Sequence, residues 1–299
     1  MLKRLHIYLK EMFPLPTRIM VSAVLFSIMY LRIIVVGKVL ELDIGPEEFI
    51  AVLTIFAALL SLRIIDEFKD FDTDKLNFPE RPLPSGRVRQ SDLVVLLVSF
   101  QIPTIVLNVF FMNNLWWFVG LWGYGTLMSF WFFSKKLIKP NLFLALLTHN
   151  PVLLLLNFYI TSFICTKYTL DMFAPENLII AFALYVPAIV YEIGRKIRAP
   201  HKETAYTTYS KLMGYKRAVL LVVIVILIST MISTYLLMGI SIIAIVLVWL
   251  LLASIIIRSC LFVKNPDRKP YFNIVASYLF GEQVILLAGM LWAVILMRV

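Results

Sequence analysis

The segment IIDEFKDFDTDKLNFPERPLPSGRV, residues 64 to 88, carries six acids and several bases at spacings that matter for chemistry. If a helix runs through it at about 100° per residue, Asp66, Glu67, Asp70 and Asp74 fall within one sector of about 100°, and Arg63 joins them. Asp72 and Lys75 point elsewhere, toward solvent. Carboxylates four residues apart repel one another, so an acidic stripe of this kind asks for positive charge. Mg²⁺ suits it, taking one or two carboxylates and filling its other positions with water and phosphate oxygens, which points to a phosphorylated substrate. Pro79, Pro82, Pro84 and Gly86 then predict a compact turn that presents Arg81 and Arg87 near the acids. An acidic helix end balanced by neighbouring bases is the plainer reading of the same pattern.

A second cluster lies in YEIGRKIRAPHKETAYTTYSKLMGYKR, residues 191 to 217. On a helix, Glu192, Arg195 and Lys196 share a sector of about 100°, and Pro200 ends the run. The modest alternative is a Glu192 and Lys196 surface pair, contributing about 0.2–0.5 kcal/mol.

The elements that carry these clusters belong in a lipid bilayer. Of 299 residues, 61% are hydrophobic and 15% charged, and the mean hydropathy is +0.89. Apolar runs of about 20 residues recur, each long enough to cross a hydrocarbon layer of ~30 Å as a helix. Nine spans are expected, at about 17–36, 47–65, 92–112, 115–133, 142–164, 177–194, 218–236, 240–258 and 275–297. Gly239 divides the 40-residue run from Ala218 to Ile257 into two crossings. The fold class is therefore all-α, a polytopic membrane protein with one transmembrane domain over residues 1–299, and residues 66–89 and 191–216 form loops that cap the site.

With a cytoplasmic N-terminus, 24 of the 28 Lys and Arg residues fall on the cytoplasmic side, leaving Arg32, Lys38, Lys167 and Arg298. That asymmetry fits the positive-inside rule, and it puts both charged clusters on one face. The net charge of +10 then reports orientation and affinity for anionic headgroups, and no basic soluble domain exists to bind nucleic acid. MLKRLHIYLKEMFPLP reads as a retained cytoplasmic arm without a cleavage site. The two cysteines and three histidines are scattered and make no zinc spacing.

With these residues in view, the whole chain resembles the UbiA-type intramembrane prenyltransferase superfamily, nine helices around a central cavity. Asp66-Glu67-Phe68-Lys69-Asp70-Phe71-Asp72-Thr73-Asp74 is similar to the family's N-D-x-x-D-x-x-x-D motif, with Asp for Asn and Glu for the first Asp. Glu80-Arg81-Pro82-Leu83-Pro84-Ser85-Gly86 resembles the following N-R-P-x-P-S-G segment. The second motif departs from D-x-x-x-D: Glu192-Ile193-Gly194-Arg195-Lys196 keeps one carboxylate and has a cation in place of the other. Either Glu203 helps hold a second metal or Lys196 supplies its charge.

The resemblance implies an integral membrane enzyme, in the cell inner membrane if the source is bacterial, that ionises an isoprenyl diphosphate with Mg²⁺ and passes the allylic cation to an aromatic or lipid acceptor. It assigns Asp66, Glu67, Asp70 and Asp74 to a first metal and Glu192 to a second. Arg63, Arg81, Lys135, Lys136, Arg195, Lys196 and Arg198 become diphosphate partners. The expectation is that both clusters face one shared hollow. Trp116, Trp117, Trp122, Tyr124, Trp131, Phe132 and Phe133 read either as an interfacial belt or as faces for the cation. Asn150, inside the fifth span, and Glu282, inside the ninth, are polar intrusions at a depth where function is the default reading. Glu282 either takes a proton or bonds a neighbouring helix. A terpene cyclase uses the same ionisation without an acceptor, and an ion or lipid transporter is the reading from another class.

Overall fold

The computed structural model describes residues 1–267 and 269–298; Arg268, one of the bases behind the expected orientation, lies outside them, as does the side chain of Arg298. Among the described residues all regular structure is helical. In chain order the helices are α1 (Leu2–Met12), α2 (Leu15–Val36), α3 (Pro46–Lys69), α4 (Phe71–Asn77), α5 (Gln90–Phe111), α6 (Leu115–Ser129), α7 (Lys135–Ile138), α8 (Leu142–His149), α9 (Pro151–Lys167), α10 (Pro175–Ala183), α11 (Val186–Gly194), α12 (Tyr209–Met213), α13 (Tyr215–Leu237), α14 (Ile242–Lys264) and α15 (Tyr271–Arg298).

Eight segments among the described residues are long and apolar enough to cross a membrane, and they coincide with eight of the nine expected spans. The difference lies in the fourth. Helix α6 has 15 residues, about 22 Å at 1.5 Å per residue, and falls short of the ~30 Å layer. Behind it Trp131, Phe132 and Phe133 adopt left-handed φ values of 55°, 48° and 58°, which end the helix. The long apolar run does divide at Gly239, whose φ of 74° makes the turn between α13 and α14. The fifth segment is discontinuous, because Pro151 cannot continue α8 and instead starts α9. The sixth breaks likewise between α10 and α11, where Pro187 lies in the first turn of α11.

Contacts divide the chain into two compact units, residues 1–26 with 42–135 and residues 27–41 with 136–299. In the first, α3 packs on α5 and α6, and α1 lies against α5. Its core holds Tyr8, Phe13, Phe56, Leu60, Ile64, Leu83, Val88, Leu93 and Leu96. Two polar pairs lie inside this unit: the Asn108 amide donates to Thr54 Oγ1 at 2.8 Å, and Gln101 donates to Ser61. In the second unit, α13 packs on α14 and α11, and α15 packs on α14 and α11. Gly194 makes the last contact possible, since a Cβ there would meet both Val275 methyls at 2.8 Å.

Candidate active site

Helix α3 starts at Pro46, with Glu47 and Glu48 in its first turn, where carboxylates favour the helix dipole. It carries its buried face, Leu60, Ile64 and Glu67, to the charged end. The helix does not run straight through Asp74, as the sequence reading had it. Asp70, at φ −102° and ψ 7°, is a joint between α3 and α4. Hydrogen bonds still cross it, from Asp70 N to Asp66 O at 2.9 Å and from Asp74 N to Asp70 O at 2.7 Å, so the acids stay on successive turns.

Three of these acids each have a cation. Arg63 pairs with the buried Glu67, and Arg81 Nη1 donates to Asp74 Oδ2 at 2.6 Å. Lys69 Nζ lies 3.7 Å from Asp66 Oδ1. The Arg81 guanidinium also stacks 3.9 Å from the Phe78 ring centroid. Asp72 and Lys75 are exposed, as their helical phase predicts. The proline-rich segment does form a tight turn: Ser85 N donates to Arg81 O at 3.0 Å and Val88 N to Pro82 O at 3.0 Å, with Gly86 at φ 77°. Leu83 and Val88 anchor that turn in the core. Arg87, expected near the acids, instead donates to both oxygens of Glu11 at 2.6 and 2.9 Å. Those hydrogen bonds hold the Glu11 carboxyl below its usual range.

Lys69 is a residue the sequence reading passed over. Its side chain is 7% exposed, and its ammonium sits 4.5 Å from the Trp131 ring centroid. The spacing of three from Asp66 was the available signal; the left-handed aromatic turn that delivers Trp131 had none. Tyr8 was passed over as well. It is fully buried beside Leu60 and Ile64, and burial pushes its phenol well above the ordinary range, so it stays neutral.

In the second unit, Glu192 is held by two cations. Arg195 Nε donates to Oε2 at 2.6 Å and Lys196 Nζ lies 2.7 Å from Oε1. One carboxylate against two cations leaves this cluster net positive, suited to an oxyanion. Glu203, weighed as a second metal ligand, accepts from Thr208 Oγ1 at 2.8 Å and from Ser210, and so braces the loop that leads into α12. Arg198 serves the same loop, donating from Nη1 to Thr204 Oγ1 at 2.9 Å. Lys135 and Lys136 are exposed on α7. Asn150 is buried at the break between α8 and α9, and its side-chain Nδ2 has no hydrogen-bond partner among the described residues. Glu282 is fully buried and accepts from Ser229, Ser233 and Tyr278.

Among the described residues no three His, Cys, Asp or Glu side chains form a ready-made metal cage. Magnesium does not need one, because one or two carboxylates suffice when water and phosphate oxygens complete its octahedron. Asp66, with a side chain 44% exposed, and its neighbours are hard oxygen donors at an open helix end and fit that demand.

The profile of the UbiA prenyltransferase family matches residues 24–281. No curated protein sequence matches the chain. A solved structure of a digeranylgeranylglyceryl phosphate synthase in membranes is similar in fold, with 19% identity, a TM-score of 0.60, and coverage of 98% of this chain and 99% of that one. With a family match over most of its length and this helical architecture, the chain belongs to the UbiA prenyltransferase family.

Proposed function

We propose that this membrane prenyltransferase ionises an allylic isoprenyl diphosphate in a magnesium-dependent step and passes the prenyl group to a small aromatic or lipid acceptor. The observation that carries the reading is the matching of acids with bases. Asp66, Glu67 and Asp74 have Lys69, Arg63 and Arg81 as counterparts, and Glu192 is outnumbered by Arg195 and Lys196. Cations held this way can change partners. When a diphosphate arrives, Arg63 and Arg81 turn to its oxygens, with the bidentate grip that arginine favours, and the carboxylates are released as donors. Asp66, Glu67, Asp70 and Asp74 would hold magnesium, and the metal when bound supplies positive charge beside the leaving oxygens; Glu192 of the second unit is kept as the carboxylate for a further ion.

The C–O bond then breaks with its electron pair leaving on pyrophosphate. The acceptor's nucleophilic atom attacks the allylic cation and gives up a proton. Arg63 and Arg81 stabilise the charge that grows on the leaving group, and Arg195 and Lys196 of the second unit form a cationic pair suited to an oxyanion. The apolar tail stays in lipid, where each buried CH₂ contributes about 0.8 kcal/mol. In this reading α6 still crosses the bilayer despite its length, so that the N-terminal helix and both charged loops face the cytoplasm, the side to which the positive-inside rule assigns the Lys- and Arg-rich segments.

The test is the purified protein with Mg²⁺ and allylic diphosphates of graded length, with and without candidate acceptors. Acceptor-dependent pyrophosphate release is expected, abolished by chelation, restored by Mg²⁺ and absent in Asp70→Ala. Release with a cyclic hydrocarbon or terpene alcohol product would make the protein a cyclase. No release at any chain length would favour a non-enzymatic carrier and remove the proposal.

A further inference from the structure

Helix α1 places Arg4, Tyr8 and Glu11 on one face, at spacings of four and three. The outer two are fastened. Arg4 donates to both oxygens of Asp92 on α5, at 2.6 and 2.9 Å, and Glu11 accepts from Arg87 in the turn after α4. Between these clamps Tyr8 is fully buried. It belongs to one core cluster with Phe13, Phe56, Leu60 and Ile64, the last two on the face of α3 that ends in Glu67.

The phenolic oxygen has no hydrogen-bond partner among the described residues. Native proteins rarely leave such a group unmatched, because removing a hydroxyl from water without replacing its hydrogen bond is unfavourable. Phenylalanine would fill the same space at no such penalty. The ring is explained by packing; the hydroxyl is not. Its cluster neighbours Leu60 and Ile64 lie on the buried face of α3 that continues to Glu67 one turn later, and the charges of Arg63, Glu67 and Asp66 act on it. Glu67 already accepts from Arg63, and a neutral hydroxyl donor together with a guanidinium can receive an oxyanion.

We propose that the Tyr8 hydroxyl is a substrate-binding donor, making a hydrogen bond to a diphosphate oxygen at the first acidic cluster, so that α1 contributes to the site. This rests on the reading of the protein as a user of isoprenyl diphosphates. Helix α1 then does more than cover the core, since its two ion pairs hold the helix that carries this hydroxyl.

The experiment compares the full chain with Tyr8→Phe in lipid nanodiscs containing Mg²⁺, titrating inorganic pyrophosphate by calorimetry and following thermal unfolding in parallel. Tyr8→Phe is expected to bind pyrophosphate roughly tenfold more weakly, the size of one lost hydrogen bond to a charged group. Its unfolding temperature is expected to match or exceed that of the parent chain. Equal pyrophosphate affinity in the two proteins overturns this inference and leaves the transferase reading standing. Weaker binding together with a lower unfolding temperature assigns the hydroxyl to packing and also overturns it. A parent chain that binds no pyrophosphate removes the diphosphate reading and this inference together.

Discussion

Glu282 illustrates how one buried side chain that looks like a reactive group is tied to its neighbours through Oε1, while Oε2 has no hydrogen-bond partner among the described residues. Ser229, Ser233 and Tyr278 all donate to its Oε1, each at 2.8 Å. Two of these donors lie on α13, so the carboxyl ties α15 to α13, one of the two roles the sequence left open. Glu282→Ala strands three donors and should lower stability by about 1–3 kcal/mol for each one left unsatisfied. Glu282→Gln keeps the accepting oxygen and should retain both the unfolding temperature in detergent and turnover. Loss of turnover at unchanged stability would restore a proton-transfer role. The acids from Asp66 to Asp74 and the Glu192 cluster were legible from spacing alone, since i to i+4 neighbours meet on any helix. Tyr8 was not, because it reaches Leu60 and Ile64 only through the docking of α1, and no local pattern encodes a contact between residues so far apart in the chain.

At the scale of elements, the close approach of α11 to α15 depends on Gly194. A methyl group there would stand 2.8 Å from the Val275 methyls, both on regular helix. Gly194→Ala should therefore cost about 1–3 kcal/mol through overpacking. Adding Val275→Ala should recover part of that loss, a coupling that thermal unfolding of the two single variants and the double variant measures directly. Most helix boundaries were readable to within a few residues from apolar run length, as for α5 at Gln90–Phe111. The breaks were harder. Pro151 and Pro187 were visible signals of discontinuity, whereas the joint at Asp70 has no proline or glycine to announce it. The left-handed run Trp131 to Phe133 is unreadable in principle, because bulky aromatic residues disfavour that conformation and only the surrounding packing imposes it.

For the molecule as a whole, the distribution of basic residues makes a claim about orientation that accessibility can check. In a chain with Cys165 and Cys260 replaced by serine, single cysteines at Ser85, Lys202 and Glu41 all lie at exposed positions. In intact cells a membrane-impermeant maleimide should modify Glu41→Cys and spare Ser85→Cys and Lys202→Cys. Labelling of Ser85→Cys or Lys202→Cys in intact cells would invert or split the proposed topology. The shortness of α6 has a consequence for the lipid itself. Its exposed side chains Trp116, Val119 and Leu127 are apolar, yet its length leaves roughly 8 Å of an average hydrocarbon layer unmatched. Hydrophobic mismatch of that size costs a fraction of a kcal/mol per Å, and the bilayer relieves it by thinning locally or by letting headgroups sink. A phosphorylated isoprenoid diffusing in the leaflet would meet a shallower apolar barrier on that flank than anywhere along the full-length helices.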